Sequence, residues 1–250
     1  MGIADITFLL LGAVAGSFAG VIAERINTGQ SWAHGRSRCN ACKRVLTGRD
    51  MVPVFSWLLS LGKCRTCGAS ITGTYALLEA LLGVCFWGAY RLIGLTPALL
   101  PFLLALVILL ALVLYDLRHM VVPPMLSSLL ILFSLAYAIL AHDTHTLGLV
   151  LMMAGGIALV LFLFFALSKG RVMGLGDTPV VFGLSLLAGT HAFSGFVFSF
   201  WVGAVVGILL LFLKRHATKM NTEVPFVPFM AVGFLLAFFT QWNPFALILW

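Results

Sequence analysis

The chain has 250 residues, of which 62% are hydrophobic and only 9% charged, with a formal net charge of +7 and a mean hydropathy of +1.11. Soluble globular domains run near about 45–50% apolar and roughly 25% charged, so a water-soluble enzyme and a disordered chain are both excluded and a polytopic membrane protein is expected. In such a protein the placement of basic residues among the loops matters more than their sum, and nucleic acid is not an expected partner.

An α-helix needs about 20 apolar residues to cross roughly 30 Å of hydrocarbon. Such runs lie near 6–23, 75–93, 98–115, 123–141, 146–167, 193–213 and 229–249, and a shorter run at 179–190 completes an expected set of about eight transmembrane helices. The first run has no basic residue before it, carries Asp5 at its start and is followed by Glu24-Arg25. That polarity is wrong for a cleaved signal peptide and fits a retained helix with its N-terminus outside.

With that start and eight spans, 14 of the 15 basic residues fall on one side and only Arg91 on the other. Short loops rich in Lys and Arg stay in the cytoplasm, which fixes the expected orientation. The fold class is thus all-α and polytopic: a first transmembrane helix at 1–23, a cytoplasmic cysteine insert at 24–73, and a helical membrane domain at 74–250. No fixed-period repeat is evident. Gly12, Gly16 and Gly20, and again Gly203 and Gly207, follow the small-xxx-small spacing that lets membrane helices approach closely.

The insert reads Cys39-Asn40-Ala41-Cys42 and, after 21 residues, Cys64-Arg65-Thr66-Cys67-Gly68. Two such pairs supply four thiolates able to surround one tetrahedral Zn²⁺, each presented by a tight turn, as in a zinc ribbon. Cytosolic thiols stay reduced, which favours a structural metal over disulfides. The insert has too few large apolar residues for a full core, and metal binding would supply the missing folding energy. The rival is a thiol oxidoreductase passing electrons to a membrane quinone, which would be expected to meet its clients on the outer face. Cys85, alone in the second span, reads as packing.

Ionisable groups within spans are functional candidates by default. Glu79, Asp116 and Asp177 lie in or at the ends of apolar runs. Asp116 ends the third span; Asp177 closes Gly174-Leu175-Gly176-Asp177, ahead of Thr178 and Pro179, which suit a helix start. Both acids are expected at the cytoplasmic boundary, where water reaches them. Two carboxylates about 3 Å apart cannot both ionise, so they share a proton: one activates a water while the other donates to a carbonyl oxygen, as in an aspartic protease. Gly174 and Gly176 allow an extended peptide to pass close to Asp177.

On these residues the sequence resembles the bacterial type IV prepilin peptidases, a family of GxGD intramembrane aspartyl proteases. The likeness covers nearly the whole chain: Gly16-Ser17-Phe18, the four cysteines with Pro53-Val54-Phe55-Ser56-Trp57 between the pairs, Tyr75 with Glu79, Asp116 with His119 and Pro123, Gly174 to Asp177, and Glu223-Val224-Pro225-Phe226. It implies cleavage of the basic leader of prepilins and pseudopilins by Asp116 and Asp177, then N-methylation of the new terminus from S-adenosylmethionine, with Glu79 matching a position tied to methylation. Gly20, Pro124 and Pro179 depart from the family pattern at positions usually Asn, acidic or amide, and Lys. No GxGxxG follows a strand, so methylation has no independent signature here.

Three other readings compete. A peptidase without methylation keeps both carboxylates. A presenilin-like GxGD protease would need Pro-Ala-Leu after its second aspartate, whereas Pro97-Ala98-Leu99 precedes the first. A non-catalytic transporter or scaffold with a zinc module would use the acids as a proton relay. His142, Asp143 and His145 form an external-loop cluster that reads as a polar turn.

Overall fold

The computed structural model describes residues 2–26, 37–39, 41–170, 173–213 and 225–242. The helices are α1 (Ile3–Arg25), α2 (Phe55–Leu59), α3 (Thr74–Ile93), α4 (Leu99–His119), α5 (Pro124–Ala141), α6 (Thr144–Ser168), α7 (Asp177–Ala188), α8 (Ala192–Leu213) and α9 (Val227–Thr240), with single 3₁₀ turns at Gly48–Asp50 and Gly189–His191. Among the described residues there is no strand, only two isolated bridges within the insert.

Each of the eight expected apolar runs contains a helix. Their ends follow from local chemistry. Pro124 opens α5, where its missing N–H is no loss. Asp143 caps α6 by accepting from His145 N–H and Thr146 N–H. Gly94 and Gly189 close α3 and α7. Six stretches among the described residues are long and apolar enough to cross a membrane, the last of them Asp177–Leu209, which takes in α7 and much of α8. Gly189, at φ 59°, interrupts that stretch. At 12 residues α7 spans only about 18 Å, well short of the hydrocarbon thickness.

The chain divides into two compact units, Met1–Leu95 and Thr96–Trp250. In the first, α1 and α3 run antiparallel along a seam of small residues. A Cβ on Gly12 would lie 2.7 Å from the Leu82 carbonyl, one on Gly16 2.9 Å from Glu79 Cα, and one on Gly83 2.8 Å from the Leu9 carbonyl. The expected close packing of Gly12 and Gly16 is present, and α3 answers it with Gly83. At the far end, buried Asp5 accepts from Gly2 N–H at 2.6 Å and Trp87 Nε1–H at 3.0 Å, and pairs with Arg91 at 3.6 Å. Arg91, the one base outside the basic loops, thus ties α3 to the start of α1.

In the second unit α7 packs against α5, α6, α8 and α9, and Val180, Val181, Leu184 and Leu186 are fully buried. Helix α4 is likewise mostly buried, while α5, α6 and α8 keep broad apolar faces exposed, Leu132, Met152 and Val205 among them. Among the described residues the expected close approach at Gly203 and Gly207 is not found: none lies within 4 Å of a Cβ on Gly207, and Gly203 meets the Phe229 side chain at ordinary distance. The tight α8–α9 contacts fall instead at Gly195, against Phe234, and Gly233, against Ser199. One glycine from each helix makes this seam, a pairing invisible to a motif confined to one helix.

Candidate functional site

The second unit builds a site from three helix ends. Asp116 lies in the last turn of α4 and is 5% exposed. Met120, in the left-handed conformation, ends the helix by donating its N–H to the Asp116 carbonyl at 2.8 Å. Asp177 is the first residue of α7 and is half-buried. A turn holds it: Asp177 N–H donates to the Gly174 carbonyl and Thr178 N–H to the Leu175 carbonyl, both at 3.3 Å. The Gly174 N–H is aimed at the Asp177 carboxylate.

A Cβ on Gly176 would lie 2.9 Å from the Val122 side chain, so this glycine is required for its small size, and the GxGD turn abuts the segment after α4. That approach puts the Asp116 and Asp177 carboxylates within electrostatic reach of one another. The third helix end is that of α9. Val227 N–H, the first of that helix, donates to Asp116 Oδ2 at 3.2 Å across a buried contact. A free N–H at a helix N-terminus is a natural partner for a carboxylate.

Nothing in the sequence flagged Val227, because a backbone donor carries no residue-type signature; the Pro225 and Pro228 that shape this helix start are the only hint. The sequence marks Thr178 only as a residue suited to a helix start. Its Oγ1 is buried without a hydrogen-bond partner among the described residues, one position from Asp177. His119 stacks on Tyr115 with ring centroids 4.5 Å apart. Asp143 is occupied as the α6 cap, and His142 packs against Gly189 and Tyr137. Glu223 lies outside the described residues.

The first unit holds the cysteines. The two CxxC turns are copies of one another, twenty-five positions apart. Cys39 N–H donates to the Arg44 carbonyl at 2.9 Å and Cys64 N–H to that of Ala69 at 2.8 Å; Lys43 N–H and Gly68 N–H return to the carbonyls of Cys39 and Cys64, each at 2.9 Å. The bridges Arg38–Val45 and Lys63–Ser70 stand at the same offset, and Lys43 and Gly68 both have positive φ, 57° and 70°. This local duplication is absent from a sequence-repeat reading because only the cysteines are shared.

The four sulfurs lie within 4.8 Å of one another, and Cys39 Sγ and Cys67 Sγ are 3.9 Å apart. A tetrahedral Zn²⁺ with Zn–S bonds of about 2.3 Å needs sulfurs separated by roughly 3.8 Å, so the Cys39–Cys67 pair already stands at the bound spacing and the full set closes onto a metal ion by side-chain shifts of no more than about 1 Å. The N–H groups of Cys67 and Thr66 point at Cys64 and bring its thiol down to about 6; those of Cys42 and Ala41 lower Cys39. Although the Ala69 N–H favours its thiolate, desolvation and the neighbouring sulfurs push Cys67 up to about 11. Four thiolates this close need a cation between them. Asp50 clamps both turns, accepting from Arg44 at 3.0 Å and facing Arg65 at 3.7 Å.

Glu79 of α3 accepts from Val54 N–H at 2.8 Å. Val54 has φ 60° and ψ −53°, a conformation a β-branched residue rarely adopts, and Phe55 N–H closes the turn onto the Pro53 carbonyl at 2.5 Å. This is a strained γ-turn, held by the Glu79 carboxylate. Beside it lies a cavity of about 360 Å³ within the first unit, lined by Ser17, Glu24, Trp57, Tyr75 and Glu79 among others. Tyr75 Oη donates to Glu24 at 2.6 Å on its wall.

Comparison with known proteins gives two family matches, "Bacterial Peptidase A24 N-terminal domain" over residues 10–92 and "Type IV leader peptidase family" over residues 103–212. Relatives named prepilin leader peptidase/N-methyltransferase include that of Myxococcus xanthus, 32% identical over 83% of this chain and 63% of the relative. That of Bacillus subtilis is 29% identical over 92% of this chain and 91% of the relative. That of Aeromonas salmonicida is 32% identical over 79% of this chain and 69% of the relative. The chain thus spans just under two thirds of the first of these and most of the second. No solved structure matches it.

Proposed function

Because this chain belongs to the type IV leader peptidase family, we propose that it removes the basic leader of prepilins and pseudopilins at the inner face of a bacterial cytoplasmic membrane and then methylates the new N-terminus. The carrying observation is the pair of acids, Asp116 buried at the end of α4 and Asp177 at the start of α7, within electrostatic reach of one another.

In the proposed mechanism the pair works with one proton between them. The ionised carboxylate takes a proton from water, hydroxide adds to the scissile carbonyl carbon, and the protonated carboxyl donates to the carbonyl oxygen; collapse releases the amine, which leaves with a proton from the dyad. Val227 N–H orients Asp116 by engaging Oδ2, leaving its other oxygen for this chemistry. The exposed Gly174 and Leu175 leave a strip of backbone open to an extended peptide beside Asp177.

The four cysteines are assigned to a structural Zn²⁺ that holds the insert folded. Methyl transfer from S-adenosylmethionine is assigned to the first unit, supported by the cavity beside Glu79, whose volume falls in the range of small-molecule sites. Glu24 and Glu79 supply negative charge to a sulfonium there, and Trp57 and Tyr75 supply aromatic surface. The basic loops set the insert and both acids on the cytoplasmic side, with the N-terminus outside.

The test incubates the purified chain with a prepilin and S-adenosylmethionine, comparing wild type with Asp116→Ala, Asp177→Ala and Glu79→Ala. Both aspartate variants lose cleavage, while Glu79→Ala cuts normally and transfers less methyl. Unimpaired cutting by either aspartate variant would refute the assignment.

A further inference from the structure

The segment joining the two cysteine turns carries a feature that neither cleavage nor metal binding requires. Met51, Val52, Phe55, Leu58, Leu59 and Leu61 are between 47% and 84% exposed, six large apolar side chains within eleven residues. Leu61, the most exposed of them, sits at φ 51°. A left-handed position facing water favours Gly or Asn; a bulky side chain there has no benefit unless something apolar receives it.

The depth of this segment is fixed within the first unit. Val54, one residue before α2, is hydrogen bonded to Glu79, the sixth residue of α3 and so about 7.5 Å inside that helix. On α3 the residues to either side, Leu77 and Leu81, are 59% and 50% exposed. Glu79 thus stands in the second turn of an apolar helix long enough to cross a membrane, with exposed leucines above and below it, near the end of that helix where a span meets the interface. The α2 segment therefore lies at the membrane boundary. Arg49 and Lys63, both exposed, bracket the apolar run. Trp57 turns its indole inward, donating Nε1–H to the Ile71 carbonyl at 2.9 Å.

We propose that residues 51–61 form an in-plane anchor that seats the cysteine module in the headgroup–acyl boundary of an anionic leaflet. The apolar side chains enter the acyl region, and Arg49 and Lys63 reach lipid phosphates, the arrangement that holds interfacial helices to membranes. Glu79 then has a mechanical role as well: by fixing the γ-turn at Val54 it sets the depth of α2 relative to α3. This inference rests on the reading of α3 as a membrane span.

The test places the photoreactive residue p-benzoylphenylalanine at Leu59 or Leu61 in the full chain, reconstituted in vesicles of phosphatidylethanolamine and phosphatidylglycerol, with Leu132 on α5 and Thr66 in the second cysteine turn as reference positions. After illumination, intact mass reports lipid adducts. Leu59 and Leu61 are expected to label about as well as Leu132 and roughly tenfold more than Thr66, as side chains in the acyl region should. Labelling at the Thr66 level, with Leu132 labelled, would overturn the anchor. Adducts to a second polypeptide in place of lipid would overturn it in favour of a protein-docking face. Absence of adducts from Leu132 as well would remove the membrane reading beneath it.

Discussion

The cysteine centre and the aspartate pair are built by opposite means. The cysteine centre is local: each turn is closed by hydrogen bonds between residues no more than nine apart, its ligands come from two short segments, and Cys42 and Cys67 are exposed. The aspartate pair is assembled from α4, α7 and α9, with Val227 reaching Asp116 from 111 residues away. A metal can organise the first even when little core surrounds it. The second exists only when the helices of its unit are packed, so its geometry depends on apolar contacts far from the acids.

That contrast orders the expected effects of mutation. The largest falls on the aspartates: Asp116→Asn or Asp177→Asn preserves shape but removes an ionisable partner, and leader cleavage, followed by mobility on gels, should fall by at least about a thousandfold. Metal content and methyl transfer to an already trimmed substrate should remain, and loss of both would dissolve the distinction between the sites. Next is Cys39→Ser combined with Cys64→Ser, which should abolish bound zinc by elemental analysis and lower methyl transfer by about a hundredfold, since structural metal energy is folding energy. Cleavage should fall far less.

A smaller effect is expected at Glu79. Glu79→Ala leaves Val54 N–H without its acceptor, at a local cost of about 1–3 kcal/mol, and methyl transfer should drop by roughly tenfold if the turn is held mainly by this bond. Glu79→Gln, which keeps an acceptor oxygen, separates the roles: restored transfer identifies positioning, and continued loss identifies a need for the charge. The smallest effect tests the seam beneath the insert. Gly16→Ala, whose Cβ would meet the α3 backbone, should destabilise by about 1–3 kcal/mol, whereas Gly20→Ala, facing the Tyr75 ring at 3.6 Å, should stay within about 0.5 kcal/mol. Thermal unfolding of the two variants in detergent gives the comparison.

The same contrast explains what was legible in the sequence. Apolar runs disclosed every helix among the described residues except the short α2 of the insert, because in a membrane the length of such a run is itself the structural requirement. The cysteine centre was legible because its spacing is its geometry. The roles of Asp5 and Arg91 as an α1–α3 tie, the glycine seam between α8 and α9, and the donation from Val227 to Asp116 were not, because each depends on the rotation of one helix against another. Gly203 and Gly207 show the hazard directly: the spacing is right, but among the described residues that face of α8 meets no close neighbour. The strained turn at Val54 was hidden for a different reason, since no residue type announces that a valine will adopt positive φ.

The most direct test of the account is a double-mutant cycle on leader cleavage, using Asp116→Asn, Asp177→Asn and the combined variant. If the two acids act as one proton-sharing unit, either single change already removes the mechanism, and the combined variant should be no slower than the slower single one. Rate losses that multiply in the combined variant, or a single variant that cuts at the wild-type rate, would contradict a shared site.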